Sequence, residues 1–268
     1  MKADDKQNTD CYEALADCYE DIYGVIDAQE AVRQWLLLLN QLELYPQQTH
    51  KLRLLDIGCG PGWYLEAWDD QGFDVTGLDA SPAMLARARK RLAEGGKTGQ
   101  FIEADIRTGL HLPDGMDFDL AVSHFNFPNL FAPFERESVF RSVAKLVRPG
   151  GFWMADFSDP SLPIDAVDEV YSCGGETCIH RTGAYNAAKA RYEQRWVGNG
   201  IDCTEHLWFG FRDQAHDLAE KTGWRIYHRA AWEPYLQDSP WRKTTGRDTV
   251  FADIYQRLGG NVRENSQI

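Results

Sequence analysis

The sequence predicts an α/β protein: a doubly wound, mostly parallel sheet behind an N-terminal helical cap, with a small antiparallel insertion late in the chain. Three observations predict it. From Lys51 to Phe157 short apolar runs alternate with helical patterns, the rhythm of a parallel sheet. Before Lys51, apolar residues recur at helical spacing. After Phe157 the rhythm breaks, and long extended segments flank the turn GNG, Gly198 to Gly200. The chain divides accordingly into a cap (1–48), a core (49–157), an insertion (158–211) and a C-terminal part (212–268) that completes the core sheet and ends in a tail.

The elements follow in order. Tyr12, Leu15, Ala16, Tyr19, Ile22, Tyr23 and Ile26 predict one helix over residues 10–28. Val32, Trp35, Leu36, Leu39 and Leu42 predict a second, from about Ala31 to Leu44, stopped by Pro46. These two helices either cap the mouth of a site or cover a sheet. LRLLDIG reads as a buried strand, WYLEAWDDQGF as a short helix ending near Gly72, and DVTGLDA as a second strand. In SPAMLARARKRLAEGG, Ser81 suits the N-cap, Pro82 the first helical position, and Gly95-Gly96 the stop. QFIEAD and FDLAVS are strands; Arg136 to Val147 is a helix ending at RPGG; FWMADF is a fifth strand. Residues 158–176 read as a loop. ETCIHRTGAYNAAKARYEQRWVGNG and IDCTEHLWFGF read as paired extended segments, Arg212 to Thr222 as a helix, WRIYHRAAW as a strand, and the tail beyond Gly259 as frayed.

A chain of 268 residues with 43% apolar and 12% aromatic residues builds one large domain, or a domain with an added lobe. The net charge of -13 argues against nucleic acid, which requires a basic surface, and against an anionic membrane surface. The longest apolar run, WLLLL at Trp35 to Leu39, falls far short of the roughly 20 residues of a membrane helix. The polar start MKADDKQNTD does not resemble a secretory signal. The six cysteines (Cys11, Cys18, Cys59, Cys173, Cys178, Cys203) are scattered, so the expectation is reduced thiols in a cytoplasmic protein. CGGETC has no second close pair to complete a metal site, and no metal is expected. A homodimer is left open.

The chemistry concentrates at DIGCGPG. Asp56 precedes Gly58, Gly60 and Gly62, between a strand and a helix. Glycines there let a ligand reach the backbone. The spacing G-x-G-x-G is not the dinucleotide G-x-G-x-x-G, and no Gly-Lys-Ser/Thr follows, so the loop is not a P-loop. The second strand ends in Asp79, about 20 residues on, where a carboxylate accepts both hydroxyls of a ribose. The plainer reading makes Asp79 a helix-capping partner of Ser81, and both roles are compatible.

DIGCGPG, LDASPAML, EADI, FDLAVS and LVRPGGFWMADF, in this order and spacing, resemble the class I S-adenosylmethionine-dependent methyltransferases over about residues 52–157. The resemblance implies a Rossmann-like, seven-stranded, mostly parallel sheet. It implies S-adenosyl-L-methionine as cofactor, with Gly58, Gly60 and Gly62 along its methionine and ribose. Asp56 would orient the loop and the cofactor's amino group. Asp79 would bind the ribose hydroxyls, with Ala80 and Met84 flanking the adenine, Asp105 bonding its amino group and Ile106 packing on the ring. Ser123 and His124 would pass the sulfonium.

Three regions offer an acceptor pocket. Tyr12, Tyr19 and Tyr23 lie about one helical turn apart and serve as a lid or as core. SHFNFPNLF follows the fourth strand, where ligands of parallel sheets sit. Its His124 and Asn126 are candidate catalytic residues, and Phe125 and Phe127 suit a flat or cationic acceptor. In the insertion, His180 or His206 would serve as general base, and Arg181 with Tyr185 would bind a carboxylate. The expected function is N-methylation of a small amine, with O-methylation of a hydroxyl or carboxylate as the alternative. From other classes, a nicotinamide-dependent oxidoreductase would use Tyr185-x-x-x-Lys189; a cofactor-binding protein without catalysis, such as an assembly partner or regulator, is the third reading, and the intact loop with Asp79 disfavours it.

Overall fold

A computed structural model describes residues 4–24, 27–44, 51–110, 117–159, 166–175, 177–232, 241–242 and 250–259. The central sheet contains β1 (Arg53–Ile57), β2 (Asp74–Asp79), β3 (Gln100–Glu103), β4 (Phe118–Ser123), β5 (Val147–Ser158), β10 (Trp224–Trp232), β11 (Trp241–Arg242) and β12 (Val250–Arg257), in the order β11-β10-β12-β5-β4-β1-β2-β3. β1 to β5 pair in parallel, while β12 runs antiparallel between β5 and β10. Without the two-residue β11, this is the seven-stranded, mostly parallel sheet that the sequence predicts.

Both faces of the sheet are covered, which explains the near-continuous apolar runs in its strands. Leu54, Leu120, Val122 and Met154 point to one face, against Trp35, Leu38, Leu39, Leu65 and Trp68 of α3 (Ala28–Gln41) and α4 (Trp63–Asp70). Leu55, Ala121, Trp153 and Phe157 point to the other, against Phe140, Val143, Phe211 and Leu218 of α6 (Arg136–Leu146) and α7 (Phe211–Thr222). Neighbours in sequence thus alternate between two cores, the period of a strand. α5 (Pro82–Glu94) begins where the sequence predicts: Ser81 Oγ accepts from Met84 N at 3.1 Å, with Pro82 in the first turn.

The second sheet is antiparallel, β6 (Val167–Cys173), β7 (Thr177–Asn186), β8 (Arg191–Gly198) and β9 (Ile201–Leu207) in sequential order. Gly198 pairs with Ile201, so Asn199-Gly200 form the hairpin turn. Both have positive φ, 52° and 77°, the backbone that a two-residue hairpin favours.

Four expectations need correction. The helix over 10–28 is two pieces, α1 (Asp4–Leu15) and α2 (Tyr19–Tyr23); the apolar spacing runs on because both bury the same side. Part of the loop at 158–176 is β6, whose exposed middle residues hide its alternation. Strand β12 was not foreseen. The cysteines are not all free: Cys11 bonds Cys203 and Cys18 bonds Cys173. Sequence separations of 192 and 155 leave no local signature for those pairs. Cys59 and Cys178 are free. The expectations for Ile26, Pro46, Glu176 and the tail beyond Gly259 lie outside the described residues. Among the described residues no helix is long and apolar enough to cross a membrane.

Candidate active site

The site lies at the carboxyl ends of β1, β2 and β4, where a doubly wound sheet leaves a crevice. Backbone bonds from Gly58 N and Cys59 N to Leu78 O (2.7 and 3.1 Å) fold the loop after β1 over the end of β2. Gly58 has φ 73°, and a Cβ there would meet the Phe127 ring at 2.5 Å. Gly60 has φ 51°, and its missing Cβ would point into open space. The first glycine therefore allows packing, and the second leaves room.

Asp79 ties the crevice together. Its Oδ2 accepts from Gly60 N and its Oδ1 from Ser81 N, each at 2.9 Å. Each oxygen keeps a lone pair for a ligand. Burial pushes the Asp79 carboxyl above the usual range, while the backbone N–H groups of Ser81, Gly60 and Ala80 pull it down. Asp56, on the neighbouring strand β1, is almost fully buried; its Oδ2 has no hydrogen-bond partner among the described residues. Burial pushes its carboxyl up to about 7, opposed by the nearby His124.

The crevice encloses about 930 Å³ of empty space, its open mouth included. On the cofactor side it is lined by Gly58, Gly60, Asp79, Ala80, Met84 and Ile106, with Asp105 beside them. These residues fit an adenosyl group: the Asp79 carboxylate with open lone pairs, a cradle free of Cβ, and apolar walls for a flat base. Asp105 is already engaged, however. Its oxygens accept from Arg107 Nε (2.9 Å to Oδ1) and Nη2 (2.6 Å to Oδ2), and Arg107 Nη1 also reaches Glu135 at 2.7 Å. A base amino group would share Asp105 with that guanidinium.

The opposite wall is mostly aromatic and comes from the cap, the β4 loop and the end of the insertion. Asn8, Tyr12, Tyr19, Phe125, Phe127 and Trp208 line it. Tyr23 stands behind it, against Phe125 (5.1 Å) and Trp196 (6.2 Å). The cap is fastened on two sides. Glu13 accepts from Ala83 N at 3.0 Å and from the Ser81 hydroxyl, Asp17 pairs with Arg87 and Glu20 with Arg91. These three acids recur at helical spacing against α5. On the other side the disulfides hold α1 to β9 and the start of α2 to β6, and Asn8 Nδ2 donates to Leu130 O and His206 O.

The candidate catalytic residues fall into different places. His124 lines the crevice, but its Nε2 accepts from Trp68 Nε1 at 3.0 Å and its ring stacks on Tyr64 at 3.9 Å. That bond assigns the proton to Nδ1, 3.8 Å from Asp156 Oδ2. Asn126 is outside the lining: its Oδ1 accepts from Ser158 Oγ at 2.7 Å. Phe125 and Asn126 both have φ 62°, an uncommon backbone outside glycine. Asp156, at the end of β5, holds it by accepting from both amides (3.1 and 2.6 Å). Ser123 accepts from Trp153 Nε1 at 2.9 Å beneath the loop.

The insertion's histidines lie on the face of its sheet turned away from the cap. His180 is exposed and bonded to Asp168; His206 is buried, 3.9 Å from Glu193. Tyr185 is exposed, and Arg181 Nε donates to Gln194 at 2.6 Å. None of the four lines the crevice. Lys189 sits in the β7–β8 turn, paired with Glu193 at 3.2 Å. The Tyr-x-x-x-Lys spacing therefore reflects a hairpin, remote from the glycine loop. Sequence reasoning gave no role to Asp156, Glu13 or Asn129. Asn129 joins the β4 loop to the insertion through Trp208 O and Ser158 O, each at 2.8 Å. Only their polarity next to apolar runs could have marked them.

Comparison with known proteins agrees with this geometry. Residues 54–151 match the family described as Methyltransferase domain. The ubiquinone biosynthesis O-methyltransferase of Pectobacterium atrosepticum is 28% identical over 147 residues, 55% of this chain and 58% of that one. The malonyl-[acyl-carrier protein] O-methyltransferase of Enterobacter lignolyticus is 36% identical over 100 residues, 37% of this chain and 36% of that one. The chain thus spans about a third to three fifths of these relatives' lengths. A crystal structure of an S-adenosylmethionine-dependent methyltransferase from Clostridium acetobutylicum superposes with a TM-score of 0.72 at 16% identity, covering 93% of this chain and all of that one. The loop, the strand order and the family match converge on one core: residues 54–151 match the methyltransferase domain, the chain has the fold of an S-adenosylmethionine-dependent methyltransferase, and S-adenosylmethionine is the cofactor to which that core is suited.

Proposed function

We propose that the protein transfers a methyl group from S-adenosylmethionine to the nitrogen of a small amine. The observation behind the choice is the charge of the crevice. Its described lining holds three carboxylates, Asp79, Asp105 and Glu135, and one cation, Arg107, already bridged to two of them. Facing them are Tyr12, Tyr19 and Phe125. Aromatic faces and carboxylates attract an ammonium and disfavour an acid.

When bound, the cofactor supplies an already activated methyl group. The chain's residues do the rest. Gly60 leaves the approach open, Asp79 fixes the ribose, and Met84 with Ile106 flanks the base. The cap excludes water and holds the acceptor in line, the main contribution that such a transfer needs. His124 supports the wall, since its acceptor nitrogen is committed to Trp68.

The names of the curated relatives favour a second reading, O-methylation of a hydroxyl or of an acid carried on a protein. One experiment separates them. Cofactor labelled at the methyl is incubated with a panel of small amines, phenols and carboxylic acids, and products are read by mass. Methylated amines support the proposal; methylation confined to oxygen would replace it. Failure of the protein to bind S-adenosylmethionine in calorimetry would remove both.

A further inference from the structure

Glu205 lies on β9, on the sheet face that meets α1 and α2, and is 4% exposed. Its Oε1 accepts from Tyr12 Oη at 2.5 Å, and its Oε2 from Gln194 Nε2 at 3.1 Å. Tyr12 lines the crevice, so the pair forms a path from the cavity into the insertion. Among the described residues no ion pair reaches Glu205. The titratable groups facing it are Tyr12 from α1, Tyr19 and Tyr23 from α2, and Arg181 from β7. Arg181 spends its donors elsewhere: Nε on Gln194 (2.6 Å), Nη1 on Glu169 and Tyr171 (both 3.2 Å).

A buried carboxylate held by neutral donors is poised to take a proton. Burial raises the Glu205 carboxyl above its usual range, opposed by Tyr12 and the Arg181 charge. An aliphatic amine needs such a partner. It arrives as ammonium at neutral pH, and its nitrogen has no lone pair until a proton leaves.

Resting on the amine reading above, we propose that Glu205 is the proton acceptor for the incoming amine, acting through Tyr12. The ammonium N–H bonds to Tyr12 Oη. As its proton moves to Oη, the phenolic proton of Tyr12 moves to Glu205 Oε1. The ammonium becomes a neutral amine, the carboxylate becomes a carboxylic acid, and Tyr12 ends unchanged. The freed lone pair then forms the N–CH3 bond as the S–CH3 bond breaks. Tyr12 touches the acceptor; Glu205 acts through it.

Two variants test the relay, Glu205→Gln and Tyr12→Phe. Both nearly preserve volume, and either one suffices if the other fails to fold. The first readout is turnover on the amine panel against pH. The wild type should hold its rate down to mildly acidic pH. Each variant should lose on the order of 10² or more in kcat at neutral pH, recover as the pH approaches the amine's own pKa, and keep cofactor affinity within about twofold. The second readout is an infrared difference spectrum of the S-adenosylhomocysteine complex with and without methylamine as probe. A protonated-carboxyl band should appear in the wild type and be missing in Glu205→Gln. Amine methylation at wild-type rate and pH dependence in both variants, or methylamine binding without that band, overturns the relay and leaves the amine reading standing. A wild type that methylates hydroxyl acceptors and no amine overturns both.

Discussion

Replacing Asp79 with Ala separates the ligand role of this residue from its structural one. In the free protein its carboxylate accepts two backbone bonds, from Gly60 N and Ser81 N, and two lone pairs remain for the two ribose hydroxyls. A hydrogen bond to a charged group contributes about 1.5–3 kcal/mol. Two that share one carboxylate do not add fully, so about 2–4 kcal/mol of cofactor affinity should go. That is about a 30- to 1,000-fold rise in Kd. The same change strands two amide groups, so the melting temperature should fall as well. Ser81→Ala is the control. It removes the N-cap and the Glu13 contact and should lower stability by about 0.5–2 kcal/mol, with Kd within a few fold. The assay is isothermal calorimetry with S-adenosylmethionine, well below the melting point of each variant. A Kd within twofold of wild type in Asp79→Ala refutes the ribose assignment. An equal loss in both variants refutes the separation of roles.

Three further outcomes are expected. Gly60→Val should block cofactor binding in calorimetry, because its side chain enters open cavity space, with strain at φ 51° costing only about 1–2 kcal/mol in a melt; retained binding contradicts the placement of the loop. Asp56, raised from 3.8 to about 7, binds its proton more tightly folded than unfolded, so its contribution is fully present below about pH 4 and lost as pH rises toward 7, at about 1.4 kcal/mol per pH unit. Asp56→Asn should flatten that part of the stability–pH curve in chemical denaturation, and an unchanged slope refutes the assignment. His124→Ala should cost about 1–3 kcal/mol of stability, since Trp68 Nε1 loses its acceptor in the core; a stable variant with abolished turnover would restore His124 as a catalytic group.

The core was legible because its strands are buried on both faces and its helices on one. Leu54 and Leu55 serve opposite cores, and a run such as LRLLDIG has few other uses. The cofactor side was legible for a related reason: Gly60 lies in the loop directly after β1 and Asp79 ends β2, strands whose positions the pattern already sets. The acceptor side depends on long-range contacts that spacing along the chain does not encode. Tyr12 meets Glu205 across 193 residues, and Asn8 meets His206 across 198. His124 looked catalytic because histidine titrates near neutrality, but Trp68 and Tyr64, which occupy it, lie far away in the sequence. Strand β12 escaped because its alternation is weak: Phe251 to Tyr255 are all buried.

The disulfides also determine how the molecule could come apart. Residues 11 and 18 are bonded to 203 and 173, so β1 to β5 lie inside a closed covalent ring. A backbone cut between Gly24 and Val167 would leave the two fragments joined while the bonds last. It follows that the cap cannot lift from the insertion. Toward α5 the same segment is held without covalent bonds, by the salt links of Asp17 and Glu20, the Glu13 hydrogen bonds and the packing of Ala16 and Tyr19 on Met84. Unlike the disulfides, the salt links to α5 are electrostatic and should weaken as salt rises.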